Sequence, residues 1–255
     1  MNGLHRYIGF VMICALVFLS GCSVDGQSLP ELTMQPGPGV ALAAEKSPVP
    51  GQKQNDDRVA LADGFSYQKL DDALKVRITG NSYPEDDSEI GIQYADLRYI
   101  RILYYDFDGK VRQGEIIMHK SLAEEVMEIF HELYKAKYPL ASVKLIDDFN
   151  ADDEASMKAN NTSGFNYRVV KGTKKRSLHS YGMALDVNPL LNPYVKGSNV
   201  DPDTAETYAD RSRDFEGKID KNDLCYKLFH ERGWKWGGDW KTVKDYQHFE
   251  KEVAH

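Results

Sequence analysis

Leu97-Arg-Tyr-Ile-Arg-Ile-Leu-Tyr-Tyr105 is the stretch that most narrows the folds open to this chain. It is dense in β-branched and aromatic residues, which suit a pleated, half-buried surface. Asp108-Gly109 follows, a dipeptide that tolerates the backbone of a tight hairpin, and residues 111–118 supply a second strand. Ser121-Leu-Ala-Glu124 then reads as a capping box. It opens a helix with Leu122, Val126, Ile129, Phe130 and Leu133 on one face, and Pro139 lies beyond its end. Residues 143–146 read as a short strand and 167–170 as another candidate. Residues 223–232 read as a helix closed by Gly233. Strands and helices mix without a regular βαβ alternation. The expected fold class is therefore α+β, a small antiparallel sheet with flanking helices.

The chain begins differently. Residues 8–19 form an almost unbroken apolar run of about 12 residues, behind a polar start with one cation, Arg6. A bilayer span needs roughly 20 residues, so this run fits the core of a secretory signal. Leu19-Ser20-Gly21-Cys22 follows it directly and resembles the lipobox of bacterial lipoproteins. That implies a signal peptide over 1–21 and lipidation of Cys22; the plainer alternative is an ordinary cleavage site that leaves a stray thiol. Residues 22–58 hold Pro30, Pro36, Pro38, Pro48 and Pro50 among several glycines and keep no helical or strand period. They read as a tether with a reach on the order of 30 Å. The expected domain is 59–255, exported and lipid-anchored on the cell-wall side of a bacterial membrane. With Cys14 removed and Cys22 acylated, only Cys225 remains. The fold must hold by its core, or by a core plus a metal.

Composition excludes some functions. Apolar residues make up 42% and charged residues 28%, which fits a soluble globular domain rather than a disordered or multi-span chain. The formal net charge of -7, with no long basic run, argues against nucleic acid as a partner. The sequon at Asn160-Asn-Thr162 and the faint calcium-loop pattern at Asp106-Phe-Asp-Gly109 read as an unused sequon and a hairpin turn. Residues 201–223 are acidic and loop-like, a solvated connection or a flap over a cleft.

Six histidines remain outside the signal. His119, His131, His230 and His255 read as surface or structural residues. His179 sits in Ser177-Leu-His-Ser-Tyr-Gly-Met-Ala-Leu-Asp186, where Gly182 permits a turn that returns two side chains to one point. Ala184-Leu-Asp-Val187 reads as a buried strand carrying one carboxylate, which is costly unless it meets a cation or a metal. His248 lies in Asp245-Tyr-Gln-His248-Phe-Glu250, behind Trp234-Lys-Trp-Gly-Gly-Asp-Trp240. The tryptophans read as a core cluster or as an aromatic wall beside a cleft, with Trp236 on the substrate side. Two imidazoles and a carboxylate form a catalytic zinc set that leaves a position open for water. His179, Asp186 and His248 would be that set. Asp245 could then serve as base toward the water and as proton donor to the leaving amine. Arg168 is the candidate cation for the substrate carbonyl, with an ordinary surface arginine as the alternative. A serine triad from Ser177, Ser180, His179 and Asp186 lacks a Gly-x-Ser-x-Gly elbow.

Ser-x-His-x-x-Gly-x-Ala-x-Asp at 177–186, Trp-Gly-Gly-Asp-Trp, and Asp-x-x-His-Phe-Glu occur in that order. Together they resemble the VanY-like D-alanyl-D-alanine carboxypeptidase and L-alanyl-D-glutamate endopeptidase family of zinc peptidases. Asn160 to Arg168 resembles that family's substrate-side arginine segment, and the resemblance covers about residues 95–251. It implies a hedgehog/DD-peptidase-like fold with zinc on the sheet. It also implies zinc on His179, Asp186 and His248, a base at Asp245, a polarising Arg168, and Ser177 placing substrate or a ligand. Carboxypeptidase members often carry Glu where this chain has Asp245, and His-Phe-Glu follows the histidine here, which is closer to the endopeptidase branch. The expected function is therefore hydrolysis of peptidoglycan stem peptides, of L-Ala-D-Glu type. A D-Ala-D-Ala carboxypeptidase and a non-catalytic, zinc-stabilised wall-binding module are the alternatives.

Overall fold

The computed structural model describes residues 57–86 and 91–254. The signal segment, Cys22, the tether up to residue 56 and His255 lie outside the described residues. Strand β1 (Val59–Ala62) and strand β2 (Phe65–Lys69) form a hairpin, and helix α1 (Asp72–Ile78) follows. The Asp71 carboxylate caps α1, accepting from the Leu74 amide at 2.8 Å. Strands β3 (Leu97–Tyr105) and β4 (Val111–His119) are the hairpin expected from the sequence, in register from Leu97 opposite His119 to Tyr105 opposite Val111. The sheet order is β1-β2-β3-β4, antiparallel throughout.

Helix α2 (Ala123–Lys135) covers one face of this sheet. Leu122, Val126, Ile129, Phe130 and Leu133 are all buried, as the periodicity demands. The capping box is not formed: Leu122 holds the N-cap position and no side chain caps the helix. Ser121 stands one residue too early, in a turn where its amide donates to His119 Nδ1 at 3.2 Å. Glu124 and Glu125 instead occupy the first turn, where the helix dipole favours them.

The rest is built from short pieces. Strands β5 (Ser142–Val143) and β6 (Asn161–Thr162) pair in parallel, with helix α3 (Asp153–Lys158) between them in sequence. The strand expected at 143–146 stops at Val143, because the chain winds into a 3-10 turn at Ile146–Phe149. The candidate at 167–170 is not a strand; Val169 makes a single bridge to Arg176. Strand β7 (Ala184–Asp186) is fully buried. Strands β8 (Tyr194–Lys196) and β9 (Asn199–Asp201) form a second hairpin, and helix α4 (Glu206–Ala209) follows it. Helix α5 (Leu224–Glu231) leads to β10 (Lys235–Trp236), β11 (Lys244–Asp245) and β12 (His248–Glu250). Two small antiparallel sheets result, ordered β10-β12-β7 and β11-β8-β9.

The acidic 201–223 segment is packed rather than a free flap. Arg211 roots it, donating to the carbonyls of Leu191 and Ile219 at 2.9 Å and to Asn192 Oδ1 at 3.0 Å. One apolar cluster joins the large sheet, α2, α5 and β12 through Ile100, Ile116, Phe130, Phe229 and Phe249. Each such side chain contributes about 1.5–3 kcal/mol when fully buried. Cys225 lies in this cluster as a small buried residue, as its sequence position suggested. The small β10-β12-β7 sheet therefore stands on the same core as the large one. Among the described residues no helix is long and apolar enough to cross a membrane.

Asp223 caps α5, accepting from the Cys225 amide at 2.9 Å and from the Tyr138 hydroxyl at 3.2 Å. Burial pushes its carboxyl up to about 6, against the opposing pull of these hydrogen bonds. The folded chain thus holds the Asp223 proton more tightly than the unfolded chain, whose value is near 3.8. This group's contribution to stability falls as pH rises from about 4 to about 6 and is flat above that. Asparagine caps as well as aspartate and cannot ionise. Asp223→Asn is expected to melt higher than the parent at pH 8 and level with it at pH 4. A melting difference that is the same at both pH values would reject this account.

Candidate metal centre

His179, Asp186 and His248 arrive from three local structures. Ser177 caps the 3-10 turn Leu178–Tyr181, its Oγ accepting from the His179 amide at 3.3 Å, and this turn carries His179. Gly182 ends it in the left-handed region at φ +64°. A Cβ there would stand 2.5 Å from the His119 amide nitrogen, so only glycine lets the turn lie against the end of β4. The chain then enters β7, which presents Asp186. Strand β12 pairs with β7 so that His248 is directly opposite Asp186.

The donor atoms converge. His179 Nε2 lies 3.2 Å from His248 Nδ1 and 3.1 Å from Asp186 Oδ2, and His248 Nδ1 lies 3.0 Å from Asp186 Oδ1. All three residues are buried. His179 Nδ1 is 2.7 Å from the Gly164 carbonyl, which can only accept, so Nδ1 carries the proton and Nε2 offers its lone pair inward. On His248 the outer nitrogen Nε2 faces Glu250 Oε2 at 3.4 Å, which leaves Nδ1 for the cluster. Tetrahedral bonds of about 2.0–2.1 Å put two ligand atoms about 3.3 Å apart, close to these separations. Both imidazoles thus have an outer partner that fixes the ring, the usual support for a metal ligand. The donor set fits a divalent metal.

Electrostatics agree. Burial works against charge on His248, yet its hydrogen bonds to Asp186 and Glu250 lift its pKa to about 10. Burial also opposes the Asp186 carboxylate, but the two imidazoles outweigh it and hold Asp186 well below the usual range. The pocket therefore attracts positive charge. Asp245 stands on β11, opposite Tyr194 of β8. Its Oδ1 is buried with no hydrogen-bond partner. Burial raises its carboxyl to about 7, partly offset by His248 and reinforced by Asp186. The first glycine of Trp-Gly-Gly-Asp-Trp allows this placement: a Cβ on Gly237 would stand 2.5 Å from the Asp245 carbonyl oxygen.

Arg168 is half-buried near this group, and its charge acts on Asp245. One arm of its guanidinium pairs with Asp153 at 2.9 Å, and its Nε is buried without a partner. The two residues expected to contact substrate are both buried. Ser177 is 5% exposed, and its hydroxyl is engaged in capping the turn under His179. Trp236 is 6% exposed in the core, with its ring N–H donating to the Tyr246 carbonyl at 2.9 Å. The tryptophan at the site is Trp240, half-buried, with its ring centroid 5.4 Å from that of His248. Sequence reasoning also gave no part to Asp153, Glu250 or the Gly164 carbonyl. Glu250 stood within the last motif and could have been found there; nothing local marks Asp153, which is brought in from α3.

A mixed α/β domain with a buried His/Asp/His cluster and an unpaired carboxylate beside it is compatible with a metal site. Residues 171–251 match the model of a D-alanyl-D-alanine carboxypeptidase family within the M15 peptidases, which bears out the VanY-like resemblance over that segment. The match contains His179, Asp186, Asp245 and His248, and it begins just after Arg168. It supports a peptidase, hence a hydrolase. No curated protein and no solved structure matches the chain.

Glu250→Gln removes the outer carboxylate from His248, and metal affinity is expected to fall about 10- to 100-fold in a chelator competition. His179→Ala is expected to abolish binding at the same site, and full metal occupancy in that variant would show the ligand set to be wrong. Gly182→Ala forces a side chain into the left-handed region and onto His119. It should cost on the order of 1–3 kcal/mol in unfolding free energy and loosen the metal as well.

Proposed function

We propose that the chain is a zinc metallopeptidase that hydrolyses amide bonds in the stem peptides of bacterial peptidoglycan. One observation carries the reading: a half-buried carboxylate, Asp245, has its Oδ1 buried and unpartnered beside a convergent His/Asp/His set. A purely structural metal site has no use for such a group, whereas hydrolysis requires a base. The ligands are His179 through Nε2, His248 through Nδ1, and Asp186. Zinc held there supplies Lewis acidity and brings the pKa of water toward about 7.

The chain's own residues do the rest. Asp245 takes a proton from the attacking water at Oδ1 and delivers it to the leaving amine nitrogen as the C–N bond breaks. Arg168 offers Nε, the donor left free by its pair with Asp153, to the carbonyl oxygen as negative charge develops on it. Trp240 lies against one side of His248, their ring centroids 5.4 Å apart. The Asp-x-x-His-Phe-Glu context supports cleavage at L-Ala-D-Glu, while the description of the matched family supports removal of a terminal D-Ala. The hedgehog/DD-peptidase-like fold belongs to the same proposal, supported by the metal cluster on the β7–β12 pair.

We also propose that residues 1–21 direct export, that Cys22 is lipidated, and that 22–58 tether the 59–255 domain to the membrane on the cell-wall side. The apolar run and Leu-Ser-Gly-Cys support this. It places the site beside its substrate. The net charge of -7 supports a partner other than nucleic acid.

Mass spectrometry of purified stem-peptide fragments incubated with the zinc-loaded chain tests the reading. Loss of one terminal D-Ala marks a carboxypeptidase, and release of the peptide beyond L-Ala marks the endopeptidase. Asp245→Asn is expected to keep its zinc and to lose about 10²- to 10⁴-fold in rate. No cleavage with one equivalent of zinc bound would favour a binding module instead.

A further inference from the structure

Between Arg168 and Ser177 the chain makes a short hairpin. Val169 bridges Arg176, the Val170 amide donates to the Lys175 carbonyl at 2.8 Å, and Gly172 turns the tip at φ +75°. Its base is tied to the metal centre. The Ser177 amide donates to the Arg168 carbonyl at 3.0 Å, and Ser180, in the turn that carries His179, accepts from the Arg168 amide at 2.9 Å.

The hairpin carries Lys171, Lys174, Lys175 and Arg176 in a chain whose net charge is -7. Lys171 is neutralised by Asp201 of β9 at 2.9 Å, which pins the hairpin toward the β8–β9 pair. Arg176 lies with its guanidinium 4.1 Å from the Tyr167 ring centroid. Lys174 and Lys175 are exposed, and with Arg176 they make no ion pair among the described residues. Lys175 is close enough to the centre to be one of the charges acting on Glu250, behind the His248 hydrogen bond. Val169 and Val170 are 50% and 38% exposed on the same hairpin. Unneutralised cations beside exposed apolar side chains, fixed at the rim of a buried metal centre, match a peptide that bears carboxylates. In a molecule of this overall sign, local cations must offset the general repulsion of such a ligand.

We propose that hairpin 169–176 is a substrate-binding finger that holds the carboxylates of an acidic peptide through Lys174 and Lys175. This assignment rests on the peptidase reading above. The finger selects substrate by charge, and it adds to affinity rather than to the chemical step.

The test measures binding and cleavage separately. A fluorescent stem peptide with free carboxylates and its fully amidated counterpart are titrated into the zinc-loaded full chain carrying Asp245→Asn, with and without Lys174→Gln and Lys175→Gln. The free-acid peptide is expected to bind more tightly, and the lysine changes to weaken it about three- to tenfold, as two exposed ion pairs allow. The amidated peptide should be indifferent to the lysine changes, and added salt should erase the difference. Equal affinity for both peptides, or equal loss for both in the lysine variant, would overturn the assignment. So would a variant that binds peptide normally but loses binding to anionic phospholipid vesicles, which would give the hairpin to the membrane. Acid-selective binding that depends on the lysines, without hydrolysis in the parent chain, would uphold the finger and reject the peptidase reading alone. Hydrolysis without acid selectivity would do the reverse.

Discussion

The candidate centre depends on the antiparallel pairing of β7 with β12, which sets Asp186 directly across from His248. A one-residue slip of that register would send His248 to the opposite face of the small sheet and dismantle the cluster. The register is held from below. Leu185 and Phe249 form the neighbouring pair, and both are buried in the core that α2 and α5 share with the large sheet. Phe249 stacks on Phe229 with centroids 4.4 Å apart. Apolar packing on one face of a short strand thus fixes polar chemistry on the other. Strands this short could not hold register by their own hydrogen bonds.

A second constraint is the energetic conflict built into the cluster. Two imidazoles and a carboxylate within hydrogen-bond distance of one another are costly to bury unless a cation satisfies them. The elevated His248 and depressed Asp186 pKa values express that demand. The outer partners, Gly164 and Glu250, orient the rings so that the inward nitrogens are the free ones. Asp245 lies outside this arrangement. It is half-buried, with its Oδ1 buried and unpartnered, and it is placed by a different sheet, close enough that His248 and Asp186 both act on its carboxyl.

Much of this was legible from the chain. The β3–β4 hairpin, the buried face of α2, the cap and stop of α5 and the short β7 follow from alternation, helical spacing and turn residues. His179, Asp186, Asp245 and His248 stood out because each lies in a motif rather than among ordinary neighbours. The errors were local. The capping box at Ser121 has the right letters one residue out of place, and the 167–170 segment has β-forming residues but pairs only through a single bridge, from Val169 to Arg176 across a short turn. Trp236 and Trp240 look alike in sequence. Which of them enters the core depends on the turn between them, where Gly238 lies against the Trp236 ring.

The sequence by itself determined the class of fold and the residues able to bind a metal, because these depend on residue type, period and spacing. Only the tertiary structure decided which atoms face one another. It chose Nε2 of His179 and Nδ1 of His248, brought Asp153 and Glu250 into the surroundings of the site, set Ser177 as the cap of the His179 turn, and packed Trp236 against the Tyr246 carbonyl. The physical reason is that tautomer, register and burial are set by partners far away in sequence. A pattern along one strand carries no information about the carbonyl or the ring that will close against it.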